Sequence, residues 1–253
     1  MAISTTGNEI VIRISGRDRF SPVLKSVASS VSAWRKQVVF ALGAIASAAA
    51  YTAATFEHTM RETAAIMKDS QSAFEKLSKK ARQIGENTTY SAVQASAAMY
   101  DLASAGLSVT EVMNATTDAM YLAGATASEM STATRLMAAT MRTFGEEAQD
   151  TAKVAHTFAT AITSSLFTME SLSEAMKYGA TIGASLGHSL SGTVAGLAAF
   201  ANFGLAGSLA GTQMRMAMLT LASASERVKT GLAEVGVTFD QVNPKTHEFG
   251  MIV

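Results

Sequence analysis

The chain has 253 residues, of which 48% are hydrophobic and 16% are charged, and its net charge is zero. It has no cysteine, which excludes a disulfide framework, a thiolate metal site and a catalytic thiol. Its balanced charge supplies no strong field for binding phosphates, so we expect no specific nucleic-acid recognition.

The composition also favours an all-α fold. Alanine, methionine and leucine carry most of the apolar character, and aromatic residues make up only 7%, which suits close helix packing better than a β-sandwich. The two prolines, at 22 and 244, leave a long interval without a helix breaker. We predict an array of short capped helices with an internal two-fold repeat, one short N-terminal β-strand and a long C-terminal helix.

The N-terminal segment, residues 1–30, is predicted to contain the strand. Isoleucine recurs at every second position from Ile10 to Ile14, and Gly16 follows. A period of two indicates one short strand over residues 9–15. A single strand is not stable alone, so it needs a pairing partner that the sequence does not identify.

Residues 31–56 are predicted to form an apolar helix, and its last nineteen residues, 38–56, carry no charge. That length is close to the roughly twenty residues that span a bilayer. Few of these side chains are strongly apolar, however, so insertion would be weakly driven. Gly43 and Ser47, four residues apart among alanines, make a smooth face for helix packing. We therefore expect the stretch to be buried in protein, in the chain's own domain or in a bundle of copies.

The segment 57–236 has the helix start and stop signals of a helical core. Hydroxyl residues stand three positions before Glu or Gln, which is the capping-box spacing of helix N-termini. The predicted boxes are Ser72 with Glu75, Ser91 with Gln94, Ser108 with Glu111 and Thr126 with Glu129. Helix ends are predicted near the glycines 85, 106, 124 and 145, with a further break at 185–191. Residues 237–253 are predicted to begin a C-terminal continuation.

A shift of 77 residues aligns similar stretches within this core. Met99 then meets Met176, and Gly106 meets Gly183. The match predicts two copies of one helical unit, roughly residues 90–150 and 167–225.

The interval from Tyr178 to Met214 contains no Asp, Glu, Lys or Arg, and its glycines recur four residues apart. Small residues at this spacing let two helix backbones approach closely, in lipid or in a protein bundle. The predicted helix-packing or oligomer contacts here are Gly179, Gly183, Gly187, Gly192, Gly196, Gly207 and Gly211.

The last helix is predicted to be long. Apolar residues in alternating steps of four and three indicate the seam of a coiled coil. The predicted contact residues of this seam are Met214, Met218, Leu221, Val228 and Leu232.

No enzyme is indicated. Residues 183–187 match the G-x-S-x-G nucleophile elbow around Ser185, but the elbow needs a preceding strand and a hydrolase sheet, and the pattern here is helical. No two of the four histidines stand at a metal-ligand spacing. We predict no catalytic residue, no metal site and no cofactor.

Residues 56–242 carry a family resemblance. An apolar helix is followed by Phe56, Glu57 and Met60, and then by a basic helix that ends near Gly85. Next come the Thr-x-Tyr-Ser-x-x-Gln-Ala segment from Thr88 to Ala95 and an Ala-Gly turn. This order resembles the conserved N-terminal region of TP901-type tape measure proteins of tailed bacteriophages.

The resemblance implies a structural protein that lies in the lumen of the virion's tail tube, sets tail length and assists genome ejection. It implies assembly in the host cytoplasm and a homo-oligomer, a trimer or hexamer. Further implied partners are the tail tube, distal tail and baseplate hub proteins, tail assembly chaperones and, during ejection, the host membrane. Because the chain is short for this family, we expect it to be part of a longer protein. The alternative from another class is a membrane-inserting, pore-forming helical protein unrelated to tails.

Overall fold

The computed structural model describes residues 2–5, 10–13, 47–67, 70–145, 150–248 and 250. The chain divides into two compact units, residues 1–54 and 55–253. In the first unit, strands β1 (Ala2–Thr5) and β2 (Ile10–Arg13) pair antiparallel, with Ile3 opposite Ile12. The alternating stretch noted in the sequence thus pairs with the residues that precede it.

Beyond the strands, the described residues form helices joined by short turns, which confirms the all-α prediction. A first helix, α1, covers residues 47–65 of the described chain. The others are α2 (Ser70–Asn87), α3 (Ala92–Ser104), α4 (Val109–Ala125), α5 (Met130–Phe144), α6 (Thr151–Ser164), α7 (Met169–Ser185), α8 (Leu190–Asn202), α9 (Ser208–Ala222), α10 (Glu226–Glu234) and a short 3-10 helix (Phe239–Gln241).

The helices of the second unit pack as two rows. Helices α3, α5, α7 and α9 lie side by side in one row, and α4, α6 and α8 lie side by side in the other. Successive helices therefore alternate between the rows, and α2 packs on the first members, α3 and α4. Each helix touches its neighbours rather than distant members, which is the plan of a helical solenoid.

One continuous apolar core lies between the rows. Methionines do much of the filling, since their flexible thioethers fit irregular gaps between alanine-rich helices. Among the side chains that are less than 2% exposed are Met60, Leu77, Met99, Leu102, Leu122, Met130, Met137, Phe158, Met169, Leu172 and Leu197.

Two of the four predicted capping boxes form, at Ser91 with Gln94 and at Ser108 with Glu111. The other two predictions are wrong. Helix α2 already begins at Ser70, so Ser72 lies inside its first turn. Thr126 is the C-cap of α4, and α5 starts behind Glu129 without a side-chain cap bond.

The helices end near all four of the predicted glycines. Gly106 follows α3, Gly145 caps α5, and α7 and α8 are separated within 185–191 as predicted. Gly85 and Gly124 lie in the last turns of α2 and α4, two residues and one residue before the helix ends, so the breaks near them also form as predicted.

The prediction of one long C-terminal helix is wrong. Helix α9 ends at Ala222, Ala224 takes a left-handed backbone conformation with φ of 48°, and Ser225 caps the new helix α10. The proposed coiled-coil seam is therefore divided between two helices.

Candidate helix-packing site

Gly179 and Gly183 bring α7 close to α8. Both glycines are buried on α7. A Cβ added at Gly179 would stand 3.0 Å from Cδ2 of Leu197, and one added at Gly183 would stand 2.3 Å from Oγ1 of Thr193. A real Cβ at Gly183 would overlap a buried β-branched side chain, so this glycine is what permits the contact.

Gly211 brings α9 against α7. A Cβ at Gly211 would stand 2.2 Å from the carbonyl oxygen of Ala175. Because the neighbouring atom belongs to a helix backbone and not to a flexible side chain, no rotamer change could make room. The α7–α9 contact is thus a direct approach of two backbones, and it lies within one chain.

Gly192 and Gly196 lie on α8. Gly196 is buried. Gly192 leaves space for a side chain from the C-terminal region, because a Cβ there would stand 2.0 Å from Oε2 of Glu248. The helix spacing that includes Gly192 therefore serves a contact with Glu248 and Gly250 from the C-terminal region.

Gly187 and Gly207 do not pack helices together within the chain, and a contact between copies at these glycines stays a prediction. Both have a positive φ, 81° and 61°, and a Cβ at either would meet nothing within 4 Å. Gly187 ends α7 in a Schellman motif, in which His188 N–H donates to Gly183 C=O over 3.0 Å. The backbone conformation, and not close packing, requires glycine there.

Of the apolar stretch 38–56, Gly43 lies outside the described residues, and Ser47 is exposed at the described start of α1. All residues from 47 to 54 are exposed, including Tyr51 at 75%. Residues 47–54 are thus not buried in the chain's own domain, whereas Phe56 at the end of the stretch is, and burial of the stretch in a bundle of copies stays a prediction. Among the residues described, no helix has both the length and the apolar character needed to cross a membrane.

The five residues of the proposed seam have different environments. Met214 and Met218 are fully buried in the core, where they face the α7 side of the array. Leu221 is half-buried near the end of α9, and Val228 and Leu232 are half-buried on α10. None of the residues of α10 is buried.

The sequence motif from Thr88 to Ala95 forms the joint between α2 and α3. Thr88 Oγ1 donates to the Ile84 carbonyl at the end of α2 and accepts from Tyr90 N–H, over 2.8 and 3.1 Å. Ser91 then caps α3 reciprocally with Gln94. The motif thus combines a hydrogen bond that ends α2 with a capping box that begins α3. Together they fix the direction of the chain between the two helices.

The other motif, at residues 56–60, attaches α1 to α2. Phe56 and Met60, one helical turn apart, are both buried. The guanidinium of Arg82 on α2 lies 5.4 Å from the centre of the Phe56 ring, within cation–π range. Glu57 points outward and pairs with Arg61 over 3.6 Å.

Two carboxyl groups have shifted pKa values. Burial raises the pKa of Asp101 on α3, and the charge of Arg135 on α5 partly opposes that rise. Hydrogen bonds from the side chain and backbone of Ser108 lower the pKa of Glu111. Both shifts have local structural causes.

Two surface features of the structure were not predicted from the sequence. A groove of about 630 Å³ runs between α5 and α7, with Arg135, Glu170 and Lys177 among its lining residues. Leu166 and Phe203 are 68% and 74% exposed on adjoining turns, which a bond from Leu166 N–H to the Asn202 side chain ties together.

No catalytic or metal-binding arrangement is evident among the residues that the structure describes. The hydroxyl of Ser185 donates to the Ile182 carbonyl over 2.9 Å at the end of α7, so the residue ends a helix and does not follow a strand. Within the described ranges, no group of three or more His, Cys, Asp or Glu side chains could hold a metal ion.

These features define a helical-array protein whose distinctive residues form helix joints and close helix contacts. Residues 78–252 match the family described as phage-related minor tail protein. That match covers more than half of the chain, so the chain belongs to this family.

A tape measure protein from Pneumococcus phage Dp-1 is 32% identical over 188 residues. The similarity covers 74% of this chain and 16% of the relative, so the chain spans about a sixth of the length of that relative. No solved structure matches the chain.

Proposed function

We propose that this chain is a helical region of a tape measure protein, which sets the length of a phage tail from within the tube and assists genome ejection. The single observation that carries the proposal is the 32% identity to a tape measure protein over 188 residues. The structural roles of Phe56, Met60 and the Thr88–Ala95 joint agree with it, since the residues that carry the resemblance are those that build the array.

The proposal includes assembly with other tail components. The partners would be further copies of the chain in a trimer or hexamer, the tail tube, distal tail and baseplate hub proteins, and tail assembly chaperones in the host cytoplasm. The uncharged, exposed face of α1 at residues 47–54 is suited to packing against the same helix of other copies. The host membrane would be met only during ejection.

The proposal also treats the array as a duplication. The segments 90–150 and 167–225 hold α3–α5 and α7–α9, and in each the first and third helices lie side by side. Met137 and Met214, matched by the 77-residue shift, are both fully buried on the third helix of their segment. This equivalence supports two copies of one helical unit.

Tail length provides the test. A helical segment of 60 residues would be inserted directly after Val253 in the phage gene, and tails would be measured by electron microscopy. A helix rises about 1.5 Å per residue, so tails should lengthen by up to about 90 Å. Phage carrying Glu234→Gln alone is the control and should have tails of normal length. Tails of normal length that contain the enlarged protein, or virions that lack the protein altogether, would contradict the proposal.

A further inference from the structure

The C-terminal arm, described over residues 223–248 and at Gly250, is held on the array at its far end. No residue from 219 to 243 is buried, although Met218 before this interval and Pro244 after it are. Helix α10 and the 3-10 helix therefore lie on the surface between two anchored points. Segments with few buried contacts open at low free-energy cost.

The far anchor, here called the latch, is the contact of Glu248 and Gly250 with α8 and the turn before it. One carboxylate oxygen of Glu248 accepts from Ser189 N–H over 2.9 Å, and the other lies 3.2 Å from Nδ1 of His188, whose side chain is 2% exposed. A carboxylate at this place also interacts favourably with the N-terminal end of the helix dipole.

The latch depends on two glycines. A Cβ at Gly192 would stand 2.0 Å from Glu248 Oε2, and a Cβ at Gly250 would stand 2.9 Å from Cβ of Ala195. A side chain at Gly192 would displace the Glu248 carboxylate from its place, and one at Gly250 would press on Ala195 and the α8 backbone. Gly192 lies in the first turn of α8, where the helix itself does not require glycine. Its role is therefore to leave space for the Glu248 carboxylate.

The near end of the arm bends at Ala224, between the end of α9 and the Ser225 cap of α10. Ala224 holds a φ of 48°, a left-handed conformation that is unfavourable for alanine. No glycine or proline occurs between Gly211 and Gly231 to stop a helix. In one straight helix, Leu221, Val228 and Leu232 would continue the face that begins at Met214 and Met218.

We propose that the arm is a two-state device. In the latched state Glu248 holds the chain against α8 and imposes the bend at Ala224. When the latch opens, the arm leaves the array, and α9 and α10 join into one helix that carries Leu221, Val228 and Leu232 outward along one face. The array from α2 to α8 keeps its structure in both states.

Distance measurements between two spin labels test the device. Because the chain has no cysteine, Thr181→Cys on α7 and Ala233→Cys on α10 give specific labels. We expect one narrow distance distribution in the labelled parent. Glu248→Gln and, separately, Gly192→Ala should add a longer-distance population, whereas Ala224→Gly, which relieves the bend, should reduce that population when combined with Glu248→Gln.

Hydrogen exchange supplies the second measurement. In Glu248→Gln the amides of residues 226–242 should exchange at least about tenfold faster, while those of α3, α5 and α7 stay unchanged. The control is Glu234→Gln, which makes the same charge change at an exposed position of α10. Parent-like distances in both latch variants would overturn the proposal. So would an equal loss of protection throughout the array, because Glu248 would then stabilise the whole fold.

Discussion

Gly85 lies so close to Ala92, across the joint between α2 and α3, that a Cβ on Gly85 would stand 2.8 Å from the Ala92 backbone nitrogen. The atom in the way belongs to the first residue of a capped helix, so it has little freedom to move. The joint therefore combines a close backbone approach with the bonds made by Thr88 and Ser91.

We expect Gly85→Val to lower the free energy of unfolding by about 1–3 kcal/mol through overpacking, which outweighs the loss of a flexible glycine. Chemical denaturation followed by circular dichroism measures the change. Gly124→Ala is the matched control, since a Cβ there meets only the Tyr90 hydroxyl at 3.8 Å. The control should be neutral or stabilising by up to about 1 kcal/mol. Equal effects of the two substitutions would show that the joint is not tightly packed.

Gly183 and Thr193 should be energetically coupled. Gly183→Ala is expected to cost about 1–3 kcal/mol, because its Cβ would meet Oγ1 of Thr193 at 2.3 Å. In the background of Thr193→Ala, which removes that atom, the same substitution should cost less. A double-mutant cycle should give a coupling of about 0.5–3 kcal/mol. Additive effects would mean that the two helices adjust independently.

Thr193→Val should stabilise the protein. The Thr193 hydroxyl is fully buried and has no hydrogen-bond partner among the described residues. Valine has nearly the same shape and removes the unmet polar group, so we expect a gain of about 1 kcal/mol in the free energy of unfolding. Thr134→Val is the comparison, because that buried hydroxyl donates to the Met130 carbonyl. A larger gain at Thr134 would contradict the assignment.

Glu111 should make the cap of α4 sensitive to pH. Its pKa is lowered in the folded state, so its stabilising contribution is present above the ordinary value of 4.5 and is lost as pH falls through the folded pKa. Glu111→Gln keeps an acceptor for Ser108 N–H but cannot titrate. Melting temperatures of the two proteins should differ at pH 7 and converge at pH 2–3. A constant difference over this range would exclude the carboxylate as the cause.

The contribution of Asp101 to stability should depend on pH in the opposite direction. Burial raises its pKa, so the folded protein binds a proton more tightly than the unfolded chain, and stability falls as pH rises from 3.8 through the folded pKa. Asp101→Asn should therefore gain stability relative to the parent as pH rises through that window. Arg135→Gln should raise the Asp101 pKa further, as measured by NMR titration. A lowered pKa in that variant would contradict the proximity of the two charges.

The sequence predicted features that depend on neighbours a few residues away. The boxes at Ser91 and Ser108 need only a hydroxyl and a Gln or Glu three residues later, and both formed. Thr126 has the same spacing, but α4 continues to Ala125 and uses Thr126 as its C-cap. The local signal could not decide between ending one helix and starting the next.

Contacts between distant residues could not be predicted. Gly183 and Gly187 share one spacing, yet the first packs on Thr193 and the second lies in a turn, because α7 ends between them. The bend at Ala224 likewise has no glycine or proline to mark it, although Ser225 caps the helix that follows. It accompanies a contact between Glu248 and Ser189, which are 59 residues apart.

The two-row arrangement has a mechanical consequence. Each helix of the array is held by its immediate neighbours. A pulling force on one end of the chain therefore acts first on the terminal helix and its contacts. When that helix detaches, the force acts on the next helix. Such a chain yields in a series of small steps and not in a single global rupture. The force needed at any moment is then set by the contacts of the one helix that is leaving its row.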